Sequence, residues 1–308
     1  MTFPPLPAEA LSLAVDVGGT TIKAEVVDGR GDVLASGVEA TPSGEDARRT
    51  VCLLGRRLIG RVEGERPVSR AGLVVPGIVD RVAGVGVYSA NIGWRHLALG
   101  PPLEAAWGMP VLVDHDVTIA GWAEWRAGAG RGCDDVFFVA LGTGVAAAIV
   151  AGGHLLRGGL GQAGEFGHVV VRPGGPPCGC GARGCLEAIC SANSIARAYA
   201  ARSGRQVESA ADVLAAMGED PVAVQVWDEA VAALADGLAV VVNLLSPKRI
   251  VLGGGLAGAG GALAEPLCEA VARRAHMGPV PDIVVAEFGA RAALVGAALL
   301  ARRGGAED

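Results

Sequence analysis

The chain has 308 residues, long enough for one large domain or two of ordinary size. Apolar residues make up 51% and charged residues 19%, which supports a substantial core and excludes a disordered chain. A net charge of −6 argues against nucleic acid as a partner, since that needs a concentrated basic surface. No uninterrupted apolar stretch reaches about 20 residues, so no membrane span is expected. The opening MTFPPLPAEA lacks the basic and apolar regions of a signal peptide.

In chain order, SLAVDV at 12–17 reads as a buried strand, GGTT as a tight turn and TIKAEVVD as the returning strand. Asp28-Gly29-Arg30-Gly31 turns the chain into DVLASGVE. Residues 45–63 carry Val51, Leu54, Leu58 and Val62 at helical spacing, and AGLVVPGIVD is a strand ending in a Pro-Gly turn. Asp114 and Asp116 precede a helical VTIAGWAEW, where either carboxylate by itself reads as an N-cap ahead of a catalyst. The segment from Asp135 to Leu156 then echoes the first hairpin. Gly142, Val150 and Gly153 each stand 124 residues after Gly18, Val26 and Gly29, which suggests two halves of like design facing one cleft. RIVLGGG and DIVVAEF are later strands, and RAALVGAALLARR closes the chain as a helix. A hinge is expected near 118–134.

Three glycine turns follow strands: Gly18-Gly19-Thr20-Thr21 within DVGGTTIK, Gly142-Thr143-Gly144, and Gly254-Gly255. Such turns expose backbone N–H groups that can cradle phosphate, although each alone suits an ordinary hairpin equally well. The spacing is neither that of a Walker loop nor of the dinucleotide fingerprint. Asp16 at its strand end suits Mg²⁺ held through water, an ion that takes oxygen ligands. There are seven Cys, and Cys178, Cys180, Cys185 and Cys190 crowd together while Cys52, Cys133 and Cys268 stand apart. His168 followed by C-x-C-G-x-x-G-C suits a closed tetrahedral Zn²⁺ site of His168, Cys178, Cys180 and Cys185, with Cys190 left to packing. A local metal site of this kind fits a cytoplasmic chain better than a disulfide framework does.

These motifs together resemble the ROK family of repressors, open reading frames and sugar kinases. The resemblance runs from about residue 12 to 303 and is carried by Asp16–Lys23, Val75–Asp80, Asn91–Trp94, the segment around Asp116, Leu141–Gly144, Ala163–His168, the cysteine cluster through Glu187, and Gly253–Gly255. It implies an α/β, two-domain actin-like ATPase (ribonuclease H-like) fold with a cleft between the domains. The expected domains are a small one over 1–118, with the helix at about 291–303 packing back on it, and a large one over 119–290 carrying the zinc. It implies ATP-dependent phosphorylation of a free hexose at the 6-hydroxyl, with Mg²⁺ bound with ATP and Asp116 as general base. Gly77, Asn91, His115, Glu165, His168 and Glu187 would meet the sugar, His168 with one ring nitrogen on zinc and the other towards a hydroxyl. Asp16, Gly18, Gly19, Thr20, Thr21, Lys23, Gly142, Thr143, Gly144, Gly254 and Gly255 would meet the nucleotide. A homodimer or homotetramer is expected from the family.

One departure bears on the substrate. Glucokinases of the family carry Asn before the base, where this chain has His115 in Asp114-His115-Asp116-Val117-Thr118. An imidazole offers a donor and an acceptor with a different reach from an amide. The alternatives to glucose are therefore an amino sugar such as 3-amino-3-deoxyglucose (kanosamine) and an N-acylhexosamine such as N-acetylmannosamine. Two non-kinase rivals are less well supported. The family's repressors carry an N-terminal helix-turn-helix, for which a first strand at residue 12 leaves no expected room. A catalytically idle sugar sensor would not need Asp16, Asp116 and the phosphate turns.

Overall fold

Two five-stranded sheets organise the chain, whose computed structural model describes residues 5–62, 64 and 66–306. They belong to two units, each discontinuous in sequence. The first takes residues up to Ala123, Arg157–Gln162 and those from Arg291 on, and the second takes Glu124–Leu156 and Ala163–Ala290.

In the first unit, β1 (Leu11–Val17), β2 (Thr21–Val27) and β3 (Val33–Ala40) form an antiparallel meander. Asp28 Oδ1 accepts from the N–H groups of Arg30 and Asp32 and so fixes the β2–β3 turn. Helix α1 (Glu45–Val62) starts with Glu45 and Asp46 and carries Arg61 in its last turn, which suits the helix dipole. It buries Val51, Leu54, Leu58 and Val62 in one core with Leu13 and Val15 of β1. Each such buried side chain contributes about 1.5–3 kcal/mol. Strand β4 (Val68–Val75) runs parallel to β1. Pro76-Gly77 ends it, and Ile78-Val79-Asp80 beyond the turn joins a separate three-stranded sheet of β5 (Ile78–Asp80), β6 (Val85–Ser89) and β7 (Trp94–Ala98). After α2 (Gly100–Trp107), β8 (Val111–His115) completes the order β3-β2-β1-β4-β8 and runs directly into α3 (Asp116–Ala127).

The second unit repeats this plan. β9 (Val136–Leu141), β10 (Val145–Ala151) and β11 (His154–Leu156) form the meander. The bounds of β10 fall 124 residues after those of β2, so the echo in the sequence is an echo in structure. Val17 pairs with Ile22 but Leu141 pairs with Val145, so the second glycine turn is one residue tighter. The short α4 (Glu187–Cys190), α5 (Ala192–Ser203) and α6 (Ala210–Ala216) lead to α7 (Pro221–Leu245). Asp220 caps α7 by accepting from Val222 N–H at 2.9 Å, and Pro221 opens its first turn. Phe137, Phe166, Tyr199 and Trp227 fill the core around it, the two phenyl rings edge-to-face at 5.1 Å. Strands β12 (Arg249–Gly253) and β13 (Asp282–Val285), separated by α8 (Gly261–Ala272), give the order β11-β10-β9-β12-β13. β9, β12 and β13 are mutually parallel, as β1, β4 and β8 are. Glu124, fully buried, accepts from the N–H groups of Ala129, Glu287 and Phe288 at 2.7–3.0 Å, so its charge meets three donors.

The last helix, α9 (Ala292–Arg303), returns to the first unit and packs on β1 and β4. The approach is backbone to backbone: a Cβ on Gly72 of β4 would lie 2.0 Å from Ala297 O. Among the described residues no helix is long and apolar enough to cross a membrane.

Candidate active site

In the first unit the polar residues gather at the carboxyl ends of three adjacent parallel strands, where open α/β sheets bind their ligands. Asp16 of β1 registers with Val74 of β4, and Val75 with His115 of β8. Asp16 also lies opposite Lys23 of β2. Burial foremost, with the charge of Asp116 added, pushes the Asp16 carboxyl up to about 7, while Lys23 draws it down. The turn from Gly18 to Thr21 is closed by Gly18 N–H on Thr21 O at 2.9 Å and held by Thr41 Oγ1 on Gly18 O at 2.8 Å. Gly19 and Thr20 are exposed. Asn91, exposed in the β6–β7 turn, sits against this loop: a Cβ on Gly19 would lie 3.7 Å from Asn91 Cβ. Gly77 has a φ of 95°, and a Cβ there would lie 2.2 Å from Tyr88 O, so only glycine fits.

Asp116 opens α3 with its side chain about one-fifth exposed. Its Oδ1 accepts from Val117 N–H at 2.7 Å and lies 3.2 Å from His115 Nε2, whereas Oδ2 has no partner among the described residues. His115 stands at the N-cap of the helix: Thr118 N–H, in the first turn, donates to Nδ1 at 3.3 Å, and Thr118 Oγ1 lies 3.0 Å from the same atom. The side chain that caps α3 at this position is thus His115, while Asp114 has another task. Asp114 is buried, accepts from His115 N–H at 2.8 Å, and receives both terminal nitrogens of Arg157 at 2.9 and 2.8 Å. That bidentate fork fixes the strand end beneath His115 and Asp116. Arg157 lies in a glycine-rich loop, and no sequence signal pairs it with Asp114.

In the second unit the turn Gly142–Gly144 follows β9, and Gly254–Gly255 follows the neighbouring β12, whose Gly253 registers with Ala140. Thr143 and Gly255 are exposed. Glu187 at the start of α4 accepts from Val145 N–H through Oε2 at 2.9 Å and packs so closely that a Cβ on Gly144 would lie 2.6 Å from that oxygen. This carboxylate, expected at the sugar, is therefore also a brace for the second glycine turn. Glu165 and His168 stand exposed on either side of the buried Phe166, and Glu165 Oε2 lies 3.7 Å from His168 Nε2.

The candidate metal ligands converge. One ligand atom from each of His168, Cys178, Cys180 and Cys185 lies within 4.8 Å of the other three. His168 Nδ1 is 3.7 Å from Cys178 Sγ, and the Cys180 and Cys185 sulfurs are 3.7 Å apart. The edge of a tetrahedron of thiolates about 2.3 Å from Zn²⁺ is about 3.8 Å. The donor set and its spacing therefore fit zinc. Cys190 is buried in the core of the second unit, and burial pushes its thiol upward, which makes it an inert packing group.

Two sheets of one topology, each ending in glycine turns at the carboxyl edge of its parallel strands, define the actin-like ATPase fold. The sequence pattern of the ROK family matches residues 12–304. A glucokinase from Streptomyces coelicolor is 34% identical over 316 aligned residues, covering 95% of this chain and 98% of the relative. An N-acetylmannosamine kinase from Citrobacter koseri is 33% identical over 298, covering 94% of this chain and 98% of the relative. The crystal structure of a ROK family glucokinase from Streptomyces griseus, in complex with glucose and AMPPNP, aligns with a TM-score of 0.81 at 35% identity, covering 96% of this chain and all of that one. The chain belongs to the ROK family.

Proposed function

We propose that this protein is an ATP-dependent sugar kinase that phosphorylates a free hexose at its 6-hydroxyl, with Asp116 as proton acceptor. The carrying observation is the state of that carboxylate. It stands at a strand's carboxyl end with Oδ1 held by Val117 N–H and Oδ2 unengaged among the described residues. A carboxylate so placed can accept the hydroxyl proton on Oδ2 as the sugar oxygen bonds to the γ-phosphorus and the bond to the β,γ-bridging oxygen breaks. The kinship with glucokinases, one of them solved with glucose and AMPPNP, supports the nucleotide and the hexose.

Each unit contributes a phosphate cradle of its own, Gly18–Thr21 with Lys23 in the first and Gly142–Gly144 with Gly254 and Gly255 in the second. Magnesium bound with the nucleotide neutralises phosphate charge, and Asp16, whose buried carboxyl lacks a full counter-charge, would hold it through water. His168 through Nδ1, with Cys178, Cys180 and Cys185, would hold a zinc whose four positions are all filled by protein; such a site is structural. That leaves His168 Nε2, Glu165 and Glu187 of the second unit for the sugar. The second reading for the substrate is an N-acylhexosamine, which the kinship with the Citrobacter koseri enzyme favours.

A coupled ADP-release assay across glucose, amino sugars and N-acyl amino sugars tests the function. At least one free sugar should be turned over. Asp116→Asn should lower that turnover by roughly 10²–10⁴-fold with little change in sugar affinity. Near-normal turnover in the variant would remove Asp116 from the role of base.

A further inference from the structure

The second glycine turn is gripped at both ends by one short stretch of chain. At its start Gly142 O accepts from Ala192 N–H at 2.8 Å, and just past its end Val145 N–H donates to Glu187 Oε2 at 2.9 Å. Glu187 is the first residue of α4 and Ala192 the first of α5. The stretch is itself pinned, because Glu187 O accepts from Ser194 Oγ at 2.9 Å and from Ser191 N–H at 3.2 Å. Inside the turn Gly142 N–H closes on Gly144 O at 2.9 Å. The N–H groups of Thr143 and Gly144 have no partner among the described residues, so both remain donors for an anion. Of the two Glu187 oxygens only Oε2 is engaged among those residues.

We infer that Glu187 is a positioning residue for the nucleotide: its Oε2 holds the peptide after Gly144 and so keeps the Thr143 and Gly144 N–H groups presented to phosphate, while Oε1 is the atom left for the sugar. This rests on the reading of Gly142–Gly144 as a phosphate cradle, and it makes one carboxylate serve both substrates. Bracing and charge act in opposite directions here. The negative charge of a carboxylate opposes a nearby phosphate, so a neutral side chain at 187 would tighten nucleotide binding if charge alone counted. A glycine turn without its brace spreads over many backbone states, and ordering it on binding lowers affinity.

ADP binding with magnesium, measured without and with sugar, separates these roles, because a residue that met only the sugar would leave sugar-free ADP binding unchanged. Glu187→Ala removes the brace. Glu187→Gln removes the charge but keeps an amide oxygen for Val145 N–H. Calorimetry gives the ADP and sugar Kd values, and Tm shows that each variant is folded. Glu187→Ala should raise the ADP Kd roughly 5–150-fold, the usual span of a coupling between sites. Glu187→Gln should bind ADP at least as tightly as wild type while its sugar affinity falls. Gly144→Ala tests the same contact from the other side. Gly144 has no positive φ, and a Cβ there would meet only the Glu187 carboxylate, at 2.6 Å from Oε2. That variant should weaken ADP binding by itself and add little in the Glu187→Ala background. An ADP Kd unchanged or lowered in Glu187→Ala overturns the inference and leaves Glu187 to the sugar alone. Equal losses in Glu187→Ala and Glu187→Gln overturn it too, as does a Gly144→Ala loss of the same size in both backgrounds. A wild type that binds no ADP, with or without sugar, overturns the phosphate reading of the turn instead.

Discussion

Asp16 shows how a single residue can be suited to its task at the expense of the resting fold. Its carboxyl titrates near 7 in the folded chain, against about 3.9 when unfolded. Between those values the folded state holds the extra proton, so stability falls as pH rises through that window and the full penalty stands above pH 7. Asp16→Asn removes the titration. Without magnesium or nucleotide, the variant should exceed wild type in Tm at pH 8 and by clearly less at pH 5. An equal difference at both pH values would show that Asp16 ionises freely. Asp16 was legible as a strand-end carboxylate before a glycine turn, whereas Asp116 by itself read as a helix cap and became a candidate base only through the family resemblance. The partners of His115 were not legible. They depend on where α3 begins and on which peptide N–H then faces the ring, and a one-residue shift of the helix start would have given Asp116 the cap.

At the scale of elements, the metal loop was the most legible part of the chain. Its three cysteines lie within eight residues, and glycines between them allow sharp turns; Gly181 and Gly184 both have positive φ. The loop is closed by Cys178 N–H on Ala182 O and Gly184 N–H on Pro176 O, so three ligands are placed by local geometry alone. Purified protein should therefore retain about one zinc per chain through dialysis. Cys180→Ser should lose the metal, whereas Cys190→Ala should keep it and cost roughly 1 kcal/mol of stability as a buried truncation. Metal analysis of the three proteins decides the matter, and a metal-free wild type would end the zinc assignment. The least legible element is α7. Its polar residues Gln225, Asp228, Glu229, Asp236 and Asn243 share one narrow face, but this stripe is faint among so many Ala and Val, and the Asp220-Pro221 start is the sharper signal. The β5–β7 sheet escaped for a different reason. Its first strand is three residues long and follows β4 after only Pro76-Gly77.

For the whole molecule, the shared order of the two sheets was foreshadowed by the 124-residue echo of the hairpins, which are local in sequence. The parallel additions of β4, β8, β12 and β13 are long-range pairings that no local pattern specifies. The first unit depends on the end of the chain, since α9 covers β1 and β4 and Arg70 of β4 donates to Ala301 O at 3.0 Å. Truncation after Ala290 should leave the second unit protease-resistant and the first unit degraded under limited proteolysis. A first unit that survives intact would mean that α9 is dispensable for its folding. The same arrangement sets an order of events on the ribosome. Domains ordinarily mature from the N-terminus as they emerge, at about 5–20 residues per second. Here the earliest-made sheet waits roughly ten to thirty seconds for its cover, the time needed to make the 167 residues from Glu124 to Ala290. Emergence of α9, rather than of the first half of the chain, is thus the step that covers β1 and β4.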